Sequence, residues 1–104
     1  MKNLFTDIPG DLPDELLETL VDSGDLQVQR IVSRGHATPE EGWYDQLTNE
    51  FVVLLKGAAR LEYEDGRVLS LNPGDWLQIP ARTKHRVAWT DEGVETVWLA
   101  VHYT

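Results

Sequence analysis

The sequence predicts an all-β protein of short antiparallel strands, preceded by one short helix near the N-terminus. From Leu26 onward, apolar and polar residues alternate with a period of two, which is typical of half-buried strands. Glycine, proline and an Asp-Gly pair interrupt these segments at short intervals, as turns between strands do. The period and the frequency of turns together favour an antiparallel sandwich or barrel.

The helix is expected within residues 11–23. A proline and several acidic residues in positions 11–15 are typical of a first helical turn. Aliphatic residues between positions 12 and 21 follow helical spacing, and Ser23-Gly24 provides a stop. We expect this helical arm to pack on the outside of the barrel or at a subunit contact.

The strands follow from the alternating segments and the turns between them. The turn at residues 64–67 contains the Asp-Gly pair that hairpins prefer, and further turns are expected at 72–75 and 90–93. A chain of 104 residues suits a single domain, 1–104, with the barrel at about 26–103. The expected strands cover residues 26–33, 43–46, 50–55, 59–63, 68–71, 76–79, 85–89 and 95–103.

Composition excludes several classes of function. Nine basic and eighteen acidic residues give a net charge of −9, which repels nucleic acids and anionic lipid surfaces. The chain has no cysteine and no apolar run long enough to span a membrane. We therefore expect no nucleic-acid or membrane partner and no thiolate chemistry. The lack of cysteine and of a signal peptide suits a cytoplasmic protein.

Two segments bring chemically useful residues toward one end of the barrel. In the first, Glu50 begins an apolar strand and Gly57 follows after six residues. In the second, Gly74 is followed after five residues by Pro80, and after four more by His85. The order and spacing of these segments predict that a carboxylate and an imidazole approach each other.

Both segments resemble the two sequence motifs of the cupin superfamily. The resemblance implies a jelly-roll β-barrel and, in many members, one divalent metal held by three histidines and a glutamate. Glu50 and His85 match two of those four positions. The histidine pair of the first motif is missing from residues 43–46, Trp-Tyr-Asp-Gln. The family layout covers roughly residues 26–101.

The position of the missing pair depends on the spacing to Glu50. The shorter spacing maps it to Tyr44 and Gln46, and the longer spacing maps it to Trp43 and Asp45. A one-residue slip exchanges the two sets, because alternate side chains of a strand face opposite sides.

The resemblance therefore implies a divalent metal site with an unusual set of ligands. An oxygen-rich set suits iron(II), manganese or magnesium as well as zinc or nickel, and we expect iron, manganese, nickel or zinc. We expect His85 and Glu50 as ligands, with Gln46 or Asp45 completing the set. The further candidates are Tyr44, His36 and His102.

Structural roles are the plainer alternatives for the same residues. Glu50 would then pair with a nearby arginine at the start of its strand. His85 would only hydrogen-bond at the mouth of the barrel. His36 would be a solvated loop residue, and His102 a satisfied histidine within the last strand.

The leading functional hypothesis is a metal-assisted enzyme that acts on a small polar or anionic molecule inside the barrel. Arg82 stands where the family usually has glycine, and we expect it to orient the substrate. Tyr44 is the expected proton donor or acceptor. Together with Lys84 and Arg86, Arg82 forms a basic group that would attract a small anion.

Two further expectations concern a non-catalytic function and the oligomeric state. The alternative to an enzyme is a non-catalytic module that binds or senses a small ligand without a metal, since the histidine pair is lost. A homodimer is expected, because pairing across a two-fold axis is one way to cover the exposed strand edges of a small barrel.

Overall fold

The computed structural model describes residues 1–104, which form eight strands and no helix. No helix is therefore available that could cross a membrane. The strands are β1 (Leu16–Asp22), β2 (Leu26–Ser33), β3 (Asn49–Lys56), β4 (Ala59–Tyr63), β5 (Val68–Leu71), β6 (Trp76–Ile79), β7 (His85–Thr90) and β8 (Thr96–Tyr103).

The strands form two antiparallel sheets, which confirms the predicted all-β jelly-roll architecture. One sheet has the order β1-β2-β8-β3-β6, and the other has the order β5-β4-β7. Strand β3 shows the expected alternation: Glu50, Val52 and Leu54 are buried, whereas the residues between them are half-buried. Their side chains meet Leu61 of β4 and Trp98 of β8 in the core between the sheets.

The predicted helix at residues 11–23 is wrong, because Leu16–Asp22 forms the edge strand β1. Leu16 lies opposite Val32 of β2, and a bulge follows Thr19. The bulge shifts the inward side of the strand by one residue, so aliphatic residues at helical spacing also serve an edge strand. Pairing with β2 outweighs local helix propensity, which differs by less than about 1 kcal/mol per residue among ordinary residues.

The short strand predicted at residues 43–46 is reduced to a single bridge. The Tyr44 N–H donates to the His85 carbonyl at 2.7 Å, and the His85 N–H donates to the Tyr44 carbonyl at 3.2 Å. The other predicted strands agree with the structure to within one residue at each end. This bridge holds the segment with the missing histidine pair against the start of β7.

The N-terminal residues are tied to the outer face of the large sheet by Arg30. This arginine is buried, forms an ion pair with Glu18, and donates to the carbonyls of Leu4 at 3.1 Å and Thr6 at 2.7 Å. The outer strands β1, β5 and β6 each leave an unpaired edge, whereas the edge of β7 is partly covered, because Tyr44 pairs with His85 and the Thr38 N–H donates to the Val87 carbonyl at 2.8 Å. The homodimer that would cover such edges stays a prediction.

Candidate functional site

Glu50 is placed by the register of three neighbouring strands. It lies opposite His102 of β8 on one side and Ile79 of β6 on the other. Directly opposed residues of antiparallel strands share a face, so Glu50 and His102 both point between the sheets. The Glu50 residue is only 7% exposed, which is rare for a glutamate.

The Glu50 carboxylate faces two imidazoles from different strands. Its Oε1 lies 3.7 Å from Nε2 of His85, and its Oε2 lies 3.9 Å from Nε2 of His102. Nδ1 of His85 lies 2.8 Å from the Thr83 carbonyl and donates to it. In the neutral ring, Nε2 of His85 therefore carries a lone pair directed toward Glu50.

Burial sets the protonation of this group of side chains. It raises the pKa of the Glu50 carboxyl from 4.5 to about 7, because no cation or hydrogen-bond donor compensates its charge. Burial also lowers the pKa of His102, and the nearby His85 lowers it further. Near neutral pH, the site therefore carries a partly protonated carboxyl beside a predominantly neutral His102.

A cavity of about 100 Å³ adjoins these side chains between the two sheets. One part of its wall is apolar and includes Ile31, Val52, Leu61 and Trp98. The polar part of the wall comprises Glu15, Gln29, Tyr44, Gln46, Glu50, His85 and His102. A pocket with an apolar body and a few converging polar groups is the usual form of a small-molecule site.

A sequence model described as "Cupin domain" matches residues 32–102, which is more than half of the chain. The chain belongs to the cupin family. No curated protein matches this cupin.

Solved structures share this fold. A protein from Ralstonia eutropha JMP134, described as a "putative mannose-6-phosphate isomerase", is 45% identical with a TM-score of 0.94, and the match covers 99% of this cupin and 96% of that chain. A cupin superfamily protein from Desulfitobacterium hafniense DCB-2 is 18% identical over 92% of this chain and 83% of its own, with a TM-score of 0.76. An RmlC-like cupin family protein with a double-stranded beta-helix fold, from Methanocaldococcus jannaschii, is 20% identical over 93% and 86%, with a TM-score of 0.72.

The register of the segment before β3 separates the two predicted sets of residues. Tyr44 and Gln46 line the cavity. Asp45 points away from it and pairs with Arg82, whose Nε lies 2.6 Å from Asp45 Oδ1. The structure thus brings Tyr44 and Gln46 to Glu50 and His85, and it places Asp45 and Arg82 together outside the cavity.

The donors that converge on Glu50 suit a divalent ion in kind and nearly in spacing. Two ligands bound at about 2.1 Å to one tetrahedral ion lie roughly 3.4 Å apart. The distances from Glu50 to the two Nε2 atoms, 3.7 and 3.9 Å, exceed this slightly. No group of three histidine, cysteine or acidic side chains already stands at metal-ligand spacing. Glu50, His85, His102 and the Gln46 amide are the side chains of the cavity wall whose donor atoms an ion would use.

Arg82 occupies a backbone conformation that favours glycine, with φ of 63°. Its N–H donates to the Gln46 carbonyl at 2.7 Å and so fixes the loop beside the site. We expect Arg82→Gly to change the free energy of unfolding by less than about 1 kcal/mol, because relief of backbone strain offsets loss of an exposed ion pair. Urea unfolding tests this, and a loss above about 2 kcal/mol would show that the Asp45–Arg82 pair holds the loop.

The other basic residues near the mouth are also paired with acids. Nζ of Lys84 lies 3.4 Å from the Glu64 carboxylate, and Nε of Arg86 lies 2.6 Å from that of Glu62. His36 lies outside the cavity, where its Nδ1 accepts a hydrogen bond from the Arg34 N–H at 2.9 Å. The basic group predicted to attract an anion is thus neutralised by neighbouring carboxylates.

Two polar cavity residues were not predicted as part of the site. Glu15 was assigned to the helical arm, and Gln29 to an ordinary strand position. In the structure, the chain before β1 brings Glu15 to the cavity, where its Oε2 accepts a hydrogen bond from Ser33 Oγ at 2.8 Å. The only sequence signal for Glu15 was its place beside aliphatic residues, which a strand explains as well as a helix does.

Proposed function

We propose that this cupin is a metal-dependent enzyme that acts on a small molecule bound in the cavity. Glu50, His85 and His102 would hold one divalent ion. The observation that carries the proposal is a buried carboxylate whose two oxygens each face an imidazole Nε2, at 3.7 and 3.9 Å. In this arrangement His102 supplies, from the last strand, an imidazole that the first motif lacks.

The electrostatics of the site support an ion. Removing a carboxylate from water without a nearby cation is costly, and the raised pKa of Glu50 reflects that cost. The Thr83 carbonyl orients His85 as second-shell hydrogen bonds orient metal-bound histidines. Two imidazoles with carboxylate and amide oxygens suit iron(II), manganese, nickel or zinc. A bound ion would polarise an oxygen of the substrate or lower the pKa of a bound water.

The remaining residues would position the substrate and exchange protons with it. The Tyr44 ring lies 5.6 Å from the His85 ring, between centroids, and is 41% exposed at the cavity. Its phenol can therefore meet both solvent and a bound molecule, which suits a proton donor or acceptor. Trp98 and its aliphatic neighbours would exclude water from the other end of the ligand. Arg82 is less suited to orient a substrate than expected, because it is paired with Asp45.

Proton transfer is the reaction class that the site favours. The solved protein that is 45% identical is described as a "putative mannose-6-phosphate isomerase", and an isomerase rearranges atoms within one molecule. Tyr44 would exchange the proton with the ligand, because the ion would hold Glu50 as a carboxylate.

The test is calorimetric titration of metal-free protein with manganese, nickel, zinc and, without oxygen, iron(II). We expect one ion to bind per chain, and Glu50→Gln, His85→Ala and His102→Ala each to lower the affinity at least about 100-fold. His36→Ala and Asp45→Asn are the matched controls and leave affinity unchanged. Equal affinity in His102→Ala and the wild type would remove His102 from the site.

The alternative is a binding module that needs no metal. The observation in its favour is that no three ligating side chains stand at metal-ligand spacing. A thermal-shift screen separates the two functions, because a ligand that binds only the folded state raises the melting temperature. Organic ligands that stabilise the protein in chelator, with no response to any ion, would support the binding module.

A further inference from the structure

We infer that the cavity takes a small uncharged molecule with an apolar body and one oxygen-bearing head group, rather than an anion or a phosphate ester. This inference rests on the proposed function in one respect, namely that the ligand binds in the cavity beside Glu50. It narrows the ligand class expected from the sequence, which included small anions.

The charges around the cavity argue against an anionic ligand. No lysine or arginine lines the cavity, whereas two glutamates, Glu15 and Glu50, do. Proteins hold phosphates and carboxylates with arginine or lysine side chains or with helix N-termini. This protein has no helix, and no lysine or arginine of the cavity wall could take either role. The two positive charges of the proposed divalent ion would be offset by the two glutamates of the wall.

The mouth of the cavity does not supply the missing positive charge. Arg82, Lys84 and Arg86 lie in the loop and strand next to it, and each is engaged by a carboxylate of Asp45, Glu64 or Glu62. An incoming anion would therefore meet a carboxylate beside each of these cations. The protein also carries a net charge of −9, which repels anions at longer range.

The size and lining of the cavity define the ligand that fits. Its volume of about 100 Å³ is smaller than the roughly 150 Å³ of an apolar cavity that holds benzene. A hexose phosphate is too large to be enclosed by a cavity of this volume. The apolar wall accepts a hydrocarbon body, and Gln46, Gln29 and Tyr44 offer neutral donors and acceptors to a head group. A small alcohol, aldehyde or ketone has this combination.

The test compares probes that share one carbon skeleton and differ in charge. Isobutanol, isobutyrate and isobutylamine are titrated by ligand-observed and amide NMR, together with mannose 6-phosphate and inorganic phosphate. We expect isobutanol to bind at the cavity at least 10-fold more tightly than isobutyrate. Neither phosphate compound should shift the cavity signals. Mannose 6-phosphate or isobutyrate binding more tightly than isobutanol would overturn the inference, as would unmoved cavity signals at tens of millimolar isobutanol.

Glu15→Gln provides the matched variant. The substitution removes the negative charge of the Glu15 carboxylate, and the glutamine can still accept the hydrogen bond from Ser33. We expect this variant to bind isobutyrate several-fold more tightly and isobutanol with unchanged affinity. Equal isobutyrate affinity in variant and wild type would show that Glu15 does not exclude anions.

Each titration is made in chelator and again after metal loading. Failure of the inferred ligand class can then be told apart from failure of the proposed metal site. Loss of the preference for isobutanol in both forms overturns the ligand class and leaves the metal site to its own calorimetric test. A preference for isobutyrate in the metal-loaded form alone overturns the inference but supports a metal in the cavity. A preference for isobutanol in both forms supports the inference whichever way the metal test turns out.

Discussion

In metal-free protein at pH 8, Glu50→Gln should increase the free energy of unfolding by about 3 kcal/mol. Burial raises the pKa of Glu50 from 4.5 to about 7, and each pKa unit corresponds to about 1.4 kcal/mol. The folded protein binds this proton more tightly than the unfolded chain does, so wild-type stability falls as the pH rises from 4.5 through 7. Glutamine keeps the shape and carries no charge, and the gain should vanish near pH 4.

Urea unfolding in chelator between pH 4 and pH 8 measures this difference. Glu41→Gln, at an exposed loop position, is the control and should change stability little at any pH. A gain from Glu50→Gln that is the same at pH 4 and pH 8 would contradict the account. The same substitution should abolish metal binding, so the site costs stability in exchange for function.

Gly57→Ala should destabilise the protein by about 3 kcal/mol or more. Gly57 joins β3 to β4 with φ of +90°, and an added Cβ would lie 2.7 Å from Thr96 Cα and 2.9 Å from the Glu95 carbonyl oxygen. Both contacts are with backbone, which cannot move aside without disturbing β8. The clash therefore adds to the strain of a left-handed conformation.

Gly66→Ala is the matched control for this substitution. Gly66 has φ of +94°, and an added Cβ would meet nothing within 4 Å. It should lose only the backbone contribution, about 1–2 kcal/mol. Denaturant unfolding of both variants separates the steric clash from the backbone strain. Equal losses of unfolding free energy would show that the Thr96 contact is not rigid.

Most strands of the barrel could be predicted from the sequence, because the residue pattern that indicates each strand is local. Alternation of apolar residues and the turns at Gly57, Gly66 and Gly74 predicted seven of the eight strands closely. Strand β1 was missed, because its bulge gives aliphatic residues the spacing of a helix. Pairing with β2, the next strand along the chain, decides for the hairpin and against the helix.

Motif spacing predicted one part of the site. The other part depends on strand register, which the sequence does not show. Glu50 and His85 followed from two motifs whose spacing places them at one end of the barrel. His102 meets Glu50 through the pairing of β8 with β3, across about fifty residues of sequence, and nothing local indicates that register. The choice of Gln46 over Asp45 depends on a one-residue slip, which the pairing of Asp45 with Arg82 decides.

The central claim is that Glu50, His85 and His102 hold one divalent ion. Elemental analysis of untagged protein, purified without chelator or metal-affinity resin, tests it most directly. We expect close to one iron, manganese, nickel or zinc ion per chain, lost in Glu50→Gln and His102→Ala but kept in Asp45→Asn. Negligible metal that no added ion restores, or full metal content in Glu50→Gln, would contradict it.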